Sequence, residues 1–333
     1  MSKIMNLAHP QNPCNGRYGK CLDVKITNEC NGECAFCIEK GGYSPTATSV
    51  GELISATMAL TDYQTVLILG GEPLMYEHLP EYLEGIQGKK EIFLTTNGSL
   101  LNAKTAARIA PYLTAINISI HHYDEDRNAE VYGTWVSFVA IADAIEVFHN
   151  AGVRVRINTN LVRGLFRERA DVSTMRLFAR DLGADEIRFA ELQYCADRFI
   201  QASHFFNSLP EDPFKQGCEM VLGEDGAIKT IIRLTCGLVN PCRKMPENPV
   251  CCGSQTKVLY PNGEVCDGWK TQRTRHETVG EILQDVWPTT CHTWLRTGGS
   301  PSCHQMRKDP DLERLVNASK RSTEPVGCHI FGR

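Results

Sequence analysis

The sequence Cys30-Asn31-Gly32-Glu33-Cys34-Ala35-Phe36-Cys37 places three thiols at C-x3-C-x2-C spacing on one short segment. A structural zinc site takes four protein ligands, and no further Cys or His follows nearby at C-x2-C or H-x3-H spacing. An iron–sulfur cube also normally takes four thiolates. Three thiolates therefore leave one iron without a protein ligand, and that iron can bind a small molecule. A zinc site completed from elsewhere and a chance cluster of buried cysteines are the alternatives.

This segment resembles the signature of the radical S-adenosylmethionine (SAM) enzymes, including the aromatic Phe36 just before the third cysteine. In that family the three cysteines hold a [4Fe–4S] cluster whose open iron chelates SAM. The resemblance thus implies that Cys30, Cys34 and Cys37 are metal ligands. It also implies that SAM is cleaved reductively to a 5′-deoxyadenosyl radical, which abstracts hydrogen from the substrate. The likeness covers roughly residues 20–195 well and the rest of the chain weakly.

The composition is that of a globular protein, with 42% hydrophobic and 22% charged residues among 333. A net charge of −4 argues against a nucleic-acid-binding protein, which would carry a basic stripe. Residues 1–6 show no apolar signal segment, and apolar runs such as Thr65–Leu69 are too short to span a bilayer. Fifteen cysteines without a signal peptide indicate a reducing compartment, where thiols bind metal. We therefore expect a cytoplasmic metalloprotein with no nucleic-acid or membrane partner.

Six strand-like segments alternate with helical periodicity, which predicts right-handed βαβ units and a parallel sheet. These segments are Leu22–Thr27, Thr65–Leu69, Glu91–Thr95, Ala115–Ile120, Val153–Thr159 and Glu186–Phe189. Gly152 and Gly183 stand where helices should end in a left-handed residue. The fold class predicted is therefore α/β.

The strands alternate between apolar and polar residues, as in Ile116-Asn117-Ile118-Ser119-Ile120. Parallel strands covered by helices on both faces should instead be apolar nearly throughout. A partial (β/α)6 barrel, with helices outside and a wet, ligand-holding interior, satisfies both facts. An antiparallel sheet with one solvent face is the alternative.

Shifts in composition predict four parts of the chain. They are a leader at 1–20, the partial barrel at 21–199, an irregular, proline-containing connector at 200–250, and a cysteine-rich extension at 251–333.

Polar motifs follow each of the six strands. Because chemistry in parallel α/β folds collects beyond the carboxyl ends of strands, we expect one composite site there. The motifs are the cysteine segment, Gly70–Pro73, Thr95–Gly98, Ser119–His122, Asn158–Asn160, and Glu191 with Gln193.

The segment Gly70-Gly71-Glu72-Pro73 matches the GGEP motif of the radical SAM family. The resemblance implies that its backbone groups and Glu72 bind the amino group of SAM. Asn97 is assigned to the same cofactor site, as are Ser119 and Asn158, which occupy positions that contact the SAM carboxylate and ribose in related enzymes. Phe36 is expected to pack on adenine. The alternatives are an ordinary strand-to-helix turn, simple strand polarity and core packing.

Burying the charge of Arg154, Arg156 or Arg188 inside a barrel would cost free energy unless an anionic group paired with it. Their planar forks suit a carboxylate or phosphate. We therefore expect a small anionic or zwitterionic substrate, although a solvated rim or ion pairs with Asp23 or Glu191 would also account for them.

Four further side chains are candidates for acid, base or hydrogen-donor roles near the radical. They are His121, Tyr123, Glu191 and Cys195.

The sequence of the C-terminal third predicts a β-hairpin. Its strands are Gln255–Tyr260 and Glu264–Cys266, joined by the turn Pro261-Asn262-Gly263, and a helix follows at Val279–Val286. This order resembles the Twitch or SPASM extensions of radical SAM enzymes. The resemblance implies an auxiliary [4Fe–4S] cluster, with zinc or no metal as alternatives. Its candidate ligands are Cys252, Cys266, Cys291 and Cys303.

Two departures affect the assignment of this auxiliary cluster. The C-x13-C spacing is similar to that of molybdopterin-precursor cyclases, but Pro249 stands where their first cysteine would be. The SPASM pattern requires a cysteine where this chain has Gly268. The chain also ends Phe331-Gly332-Arg333 rather than in the paired glycines of those cyclases, which disfavours the cyclase interpretation.

These features predict a radical SAM enzyme that oxidises, epimerises or rearranges a small anionic metabolite, with an electron donor such as flavodoxin or ferredoxin. A peptide-modifying maturase is the alternative within the family, disfavoured because about 20 residues precede the first strand. A non-catalytic iron–sulfur scaffold is the alternative from another class. A nicotinamide enzyme is disfavoured because no G-x-G-x-x-G follows any strand.

Overall fold

The computed structural model describes residues 21–34, 36–37, 43–192, 202–206, 219–225, 228–233 and 257–266. These residues form an α/β fold around a single mixed sheet of ten strands. The strands are β1 (Cys21–Lys25), β2 (Thr65–Leu69), β3 (Glu91–Thr96), β4 (Ala115–Ser119), β5 (Arg154–Leu161), β6 (Glu186–Glu191), β7 (Glu219–Asp225), β8 (Ile228–Arg233), β9 (Lys257–Leu259) and β10 (Val265–Cys266). The α-helices are α1 (Val50–Ala59), α2 (Leu79–Ile86), α3 (Ala103–Ile109), α4 (Glu125–Tyr132), α5 (Phe138–Asn150) and α6 (Arg169–Asp181).

The first six strands are parallel and lie side by side in chain order, from β1 to β6. At least one α-helix connects each consecutive pair, which is the βαβ arrangement that parallel neighbours require. The predicted α/β class and partial barrel are confirmed. All six predicted strands are present, with bounds that differ by a few residues at most.

Helix packing follows from apolar stripes with a period of 3.6 residues. In α5, Ile141, Ile145 and Phe148 are all buried against the sheet, and each such side chain contributes about 1.5–3 kcal/mol of burial free energy. Gly152 and Gly183, just beyond α5 and α6, have φ of 75° and 95°, as predicted for left-handed helix ends. This packing fixes the strand ends that carry the polar motifs.

Beyond β6 the structure corrects one expectation, since the segment at 200–250 is not irregular throughout. Strands β7 and β8 form an antiparallel hairpin, and β8 pairs in parallel with β6. Ile228, Ile231 and Ile232 of β8 are buried. Both strands lie in the long interval between Pro213 and Pro241 that contains no proline. The flanking prolines predict irregular structure, whereas the β-branched residues of β8 favour a strand.

The predicted C-terminal hairpin is confirmed, with β9 and β10 antiparallel and Gly263 at φ 81° in the turn. Strand β9 also pairs in parallel with β1, so this hairpin extends the same sheet at the β1 edge. The helix predicted at Val279–Val286 lies outside the described residues. In the described ranges, no helix has the length and apolar character needed to cross a membrane.

Candidate functional site

The cysteine segment follows β1 at the carboxyl edge of the sheet. Cys30 is exposed, Cys34 and Cys37 are half-buried, and none of the three is in a disulfide. The Gly32 amide donates to Cys30 Sγ at 3.3 Å. Partial burial raises the pKa of Cys30; nearby Glu72 and Cys37 raise it further, while the Gly32 hydrogen bond lowers it. A bound metal would have to displace this proton.

An amide network fastens the cysteine segment to the loop after β3. Asn31 Nδ2 donates to Ser99 Oγ at 2.8 Å, and Asn97 Nδ2 donates to Asn31 Oδ1 at 2.9 Å. Asn97 Oδ1 accepts the Ser99 amide at 2.9 Å. The sequence assigned Asn97 to the cofactor, whereas here its side chain holds the segment that carries the thiols.

The two glycines after β2 allow backbone to pack directly on backbone. The Gly71 amide donates to Thr27 O at 2.9 Å and the Glu72 amide donates to Glu29 O at 2.7 Å. A Cβ added at Gly71 would lie 1.9 Å from Glu29 O, and Gly70 has φ 146°. Both amides are therefore used within the protein, and the turn is fixed against the loop after β1.

Glu72 is buried and accepts three hydrogen bonds, from Thr96 Oγ1 at 2.6 Å, the Asn97 amide at 2.7 Å and the Leu74 amide at 3.0 Å. Burial raises the pKa of Glu72, and these donors partly offset the rise. The carboxyl group therefore links the β2 and β3 loops. Pro73 next to it is buried and begins a short 3-10 helix, Pro73–Met75.

An aromatic stack lies between the cysteine segment and helix α4. The His121 ring stacks on Tyr132 with centroids 5.0 Å apart and meets Phe36 edge-on at 5.1 Å. The Tyr132 hydroxyl donates to Ser119 O at 2.7 Å, and Tyr132 O accepts the Glu33 amide. Tyr132 thus connects the end of β4 to the thiol segment.

His121 is buried, and desolvation lowers its pKa to about 3. Its Nδ1 accepts the Asn160 amide at 3.1 Å, which leaves Nε2 carrying the proton of the neutral ring. Such a ring is a packing and positioning group near neutral pH rather than a base through Nδ1.

Three predicted ligand-binding residues lie side by side on neighbouring strands. Ser119 of β4 is in register with Asn158 of β5, and Asn158 is in register with Arg188 of β6. Asn158 is 7% exposed, and among the described residues its Oδ1 has no hydrogen-bond partner. A buried acceptor without a donor is costly, so a ligand hydroxyl or amine fits this position.

Next to this row, the carboxylate of Glu186 forms ion pairs with three cationic side chains. Glu186 lies 2.9 Å from Arg156 Nη2, 3.0 Å from Lys229 Nζ and 3.8 Å from Arg154 Nη1. Burial alone would raise the pKa of Glu186, but the three cations outweigh it and hold the pKa below the usual value. Arg154 and Arg156 were assigned to substrate, with ion pairs to Asp23 or Glu191 as the alternative. The structure pairs them with Glu186.

Three other predicted residues, Tyr123, Glu191 and Cys266, lie elsewhere among the described residues. The Tyr123 hydroxyl donates to Asp171 Oδ1 at 3.4 Å, and burial raises its pKa. Glu191 Oε1 accepts the Ala202 amide at 2.8 Å. Cys266 lies on β10 as a free thiol. Four residues, Cys195, Cys252, Cys291 and Cys303, lie outside the described residues, so the auxiliary cluster stays a prediction.

Sequence reasoning missed Asn128 and Tyr132, both buried on α4. Asn128 Oδ1 accepts the amides of His121 at 2.8 Å and His122 at 3.3 Å. A signal was available, because Asp124 and Gly133 bracket a short helix and residues four apart share one helix face.

In the described ranges, no three His, Cys, Asp or Glu side chains converge closely enough to hold one metal ion. A cube presents a separate iron to each thiolate, so its ligands are spread around it. Three thiols on one segment, none of them in a disulfide, together with the partnerless Asn158 Oδ1, fit a [4Fe–4S] cluster with a bound small molecule.

Residues 24–174 match the family model of the Radical SAM superfamily. This match identifies residues 24–174, just under half of the chain, as a radical SAM domain. Its cofactors are accordingly a [4Fe–4S] cluster and SAM. The match runs from the end of β1 into the first half of α6, the part of the fold that holds the thiols, the glycine turn and the row from Ser119 to Asn158.

Curated relatives of this radical SAM protein include two GTP 3′,8-cyclases. That of Aquifex aeolicus is 27% identical, over 52% of this chain and 56% of the relative; that of Pelotomaculum thermopropionicum is 27% identical, over 56% and 62%. The chain thus spans less than two thirds of either relative. A probable GTP 3′,8-cyclase of Metallosphaera sedula is 29% identical, over 80% of this chain and 90% of the relative.

Solved structures share the fold. Streptococcus suis SuiB bound to S-adenosylmethionine superposes with a TM-score of 0.54 and 15% identity, covering 89% of this chain and 72% of SuiB. The protein anSMEcpe with bound AdoMet and a peptide gives a TM-score of 0.51 and 16% identity, covering 90% and 94%. At these identities the likeness shows the fold alone.

Proposed function

We propose that this radical SAM protein is an enzyme that abstracts hydrogen from a small anionic substrate, with Cys30, Cys34 and Cys37 as the ligands of its catalytic cluster. The observation that carries the proposal is the meeting of three features at one sheet edge. They are the thiol segment, the glycine turn hydrogen-bonded to it, and the row Ser119–Asn158–Arg188.

The chemistry that the cluster and SAM supply when bound is reductive cleavage of the sulfonium and hydrogen-atom abstraction, with flavodoxin or ferredoxin as suitable electron donors. The chain's own residues bind and orient. Carbonyls of the Gly70–Glu72 turn would accept hydrogen bonds from the SAM ammonium group. Asn158 Oδ1 would accept a hydroxyl hydrogen, and Phe36, held against His121, would offer an apolar surface to adenine.

Charge supports an anionic substrate. Arg188 stands in the ligand-facing row, and its planar fork matches a carboxylate or phosphate. In the layer below, Arg154, Arg156 and Lys229 gather around Glu186. The relatives named GTP 3′,8-cyclase make GTP the substrate to test first.

The test is anaerobic reconstitution followed by assay of 5′-deoxyadenosine with dithionite and SAM, with and without GTP. Cys34→Ala should abolish deoxyadenosine formation, because the cube loses a ligand. Cys21→Ala, which removes a thiol from β1 outside the segment, should retain it. Equal deoxyadenosine formation by Cys34→Ala and wild type would contradict the proposal. Failure of GTP to change the rate or be consumed would redirect the substrate to another anion.

A further inference from the structure

The segment at 43–49, which follows the thiol segment and ends at the N-cap of α1, is fastened from two sides. On the β1 side, Lys25 Nζ donates to Tyr43 O at 2.8 Å and Asn28 Nδ2 donates to Pro45 O at 2.7 Å. Lys25 is buried and Asn28 is half-buried. Both lie just before Cys30, so the two ends of the thiol-bearing loop are bonded to each other.

On the other side, the C-terminal hairpin contacts the same segment across more than 200 residues of sequence. The Tyr43 hydroxyl donates to Glu264 Oε2 at 2.8 Å, and the Thr48 amide donates to Pro261 O at 2.8 Å. The Tyr43 ring also meets Tyr260 edge-on with centroids 5.0 Å apart. The hairpin therefore holds the segment through polar and aromatic contacts together.

The hairpin is itself rigidly placed. The Tyr260 amide donates to Glu264 O at 2.9 Å, and the Glu264 amide donates to Asn262 Oδ1 at 3.1 Å, so the turn is closed by its own bonds. Strand β9 pairs with β1 from Leu22 to Val24. A contact from this hairpin consequently fixes the segment at 43–49 relative to the sheet.

We propose that the β9–β10 hairpin is a positioning element for the catalytic loop, acting through the Tyr43–Glu264 hydrogen bond. Tyr43 and Glu264 are positioning residues, since they act on the thiols through the chain between them. The hairpin at 257–266 thereby contributes to the geometry of the catalytic loop through contacts outside the thiol segment. The inference rests on the proposed role of Cys30, Cys34 and Cys37, but the contacts can be tested without a cluster.

Four variants isolate the contact. Tyr43→Phe removes the hydroxyl and keeps the ring against Tyr260, and Glu264→Ala removes the acceptor. Glu264→Gln keeps an acceptor oxygen and should behave nearly as wild type. Tyr112→Phe, after α3 at the other end of the sheet, is the matched control. The Tyr43 hydroxyl also accepts a hydrogen bond from Asn262 Nδ2 at 3.3 Å. The effects of Tyr43→Phe and Glu264→Ala should therefore be less than additive in the double variant, because the two substitutions share the Tyr43–Glu264 bond.

The first measurement is the alkylation rate of Cys30, Cys34 and Cys37 in the cluster-free protein, site by site by mass spectrometry. Tyr43→Phe and Glu264→Ala should speed alkylation roughly fivefold, the factor expected for loss of one hydrogen bond. After reconstitution, the same variants should shift the electron paramagnetic resonance g-values and the midpoint potential of the reduced cluster. Tyr112→Phe should change neither.

Alkylation rates equal to those of the control would overturn the inference. So would faster alkylation with unaltered g-values and midpoint potential, because the hairpin would then only stabilise the loop. If wild type forms no deoxyadenosine, the proposed function fails while the alkylation result still decides the hairpin's role.

Discussion

Tyr132 connects α4 to the thiol segment. Its hydroxyl donates to Ser119 O on β4, its ring stacks on His121, and its carbonyl oxygen accepts the Glu33 amide. Removing the hydroxyl alone, in Tyr132→Phe, should destabilise the fold by about 1 kcal/mol because Ser119 O loses its donor. Urea unfolding measures this, with Tyr112→Phe as the control. A stability equal to wild type would show that the hydroxyl contributes nothing to the connection.

His121 gives the fold a pH dependence of known sign. Its pKa falls from 6.5 to about 3 on folding, so the folded state binds fewer protons between these values. The stability it contributes is fully present above pH 6.5 and is lost, at up to about 1.4 kcal/mol per pH unit, as pH falls towards 3. His121→Asn, which keeps an acceptor near Nδ1, should flatten this slope in urea unfolding. The exposed His78→Asn should leave it unchanged, and an equal slope in both variants would contradict the assignment.

A substitution at Asn158 tests whether the row Ser119–Asn158–Arg188 contacts SAM. Asn158→Ala removes the partnerless Oδ1 and should weaken SAM binding about tenfold, the effect of one buried hydrogen bond, without changing the iron content. Equilibrium binding to the reconstituted protein measures it. Asn150→Ala, on the exposed end of α5, is the control. Unchanged SAM affinity would remove Asn158 from the binding site.

At the scale of elements, the turn after β2 can pack on the loop after β1 only because Gly71 has no side chain. Gly71→Ala places a Cβ 1.9 Å from Glu29 O and should cost about 1–3 kcal/mol or more, since both partners are backbone. Gly51→Ala, in α1 with nothing within 4 Å of the new Cβ, should instead stabilise by up to about 1 kcal/mol. Thermal unfolding of the pair checks both signs, and a Gly71→Ala protein as stable as wild type would contradict the packing.

Strands β5, β6 and β8 meet at Glu186. Glu186→Gln leaves Arg154, Arg156 and Lys229 facing one another and should destabilise by about 3–5 kcal/mol, whereas exposed Glu84→Gln should not. Because the folded pKa of Glu186 lies below 4.5, its contribution is present above pH 4.5 and is lost as pH falls further. Urea unfolding against pH checks both points. A Glu186→Gln protein with wild-type stability would show that the cations are solvated.

For the whole molecule, the sequence was sufficient to predict the parallel sheet, because strand and helix periods are local and each strand ends in a turn signal. It also predicted that Ser119 and Asn158 lie close together, since the carboxyl ends of parallel strands meet at one edge. It could not predict that Arg154 and Arg156 join Glu186, or that Tyr132 reaches the thiols, because those contacts depend on register between strands and on helix placement. The hairpin at β7–β8 was missed for a local reason, the prolines on either side of it.

The same limit applies to Asn97 and Glu72. Their motif positions suggested contact with the cofactor, but hydrogen bonds to neighbouring loops are invisible until the loops are brought together. In this fold, the two side chains hold the loops that surround the site.

The most direct test of the central claim is the iron and sulfide content after anaerobic reconstitution, comparing wild type with the Cys30→Ala/Cys34→Ala/Cys37→Ala triple variant. The triple variant should lose about four irons, the content of one cube. A fall from about eight to about four would also establish a second cluster, and a fall from about four to none would leave one. An iron content equal to that of wild type would contradict the assignment of these three cysteines.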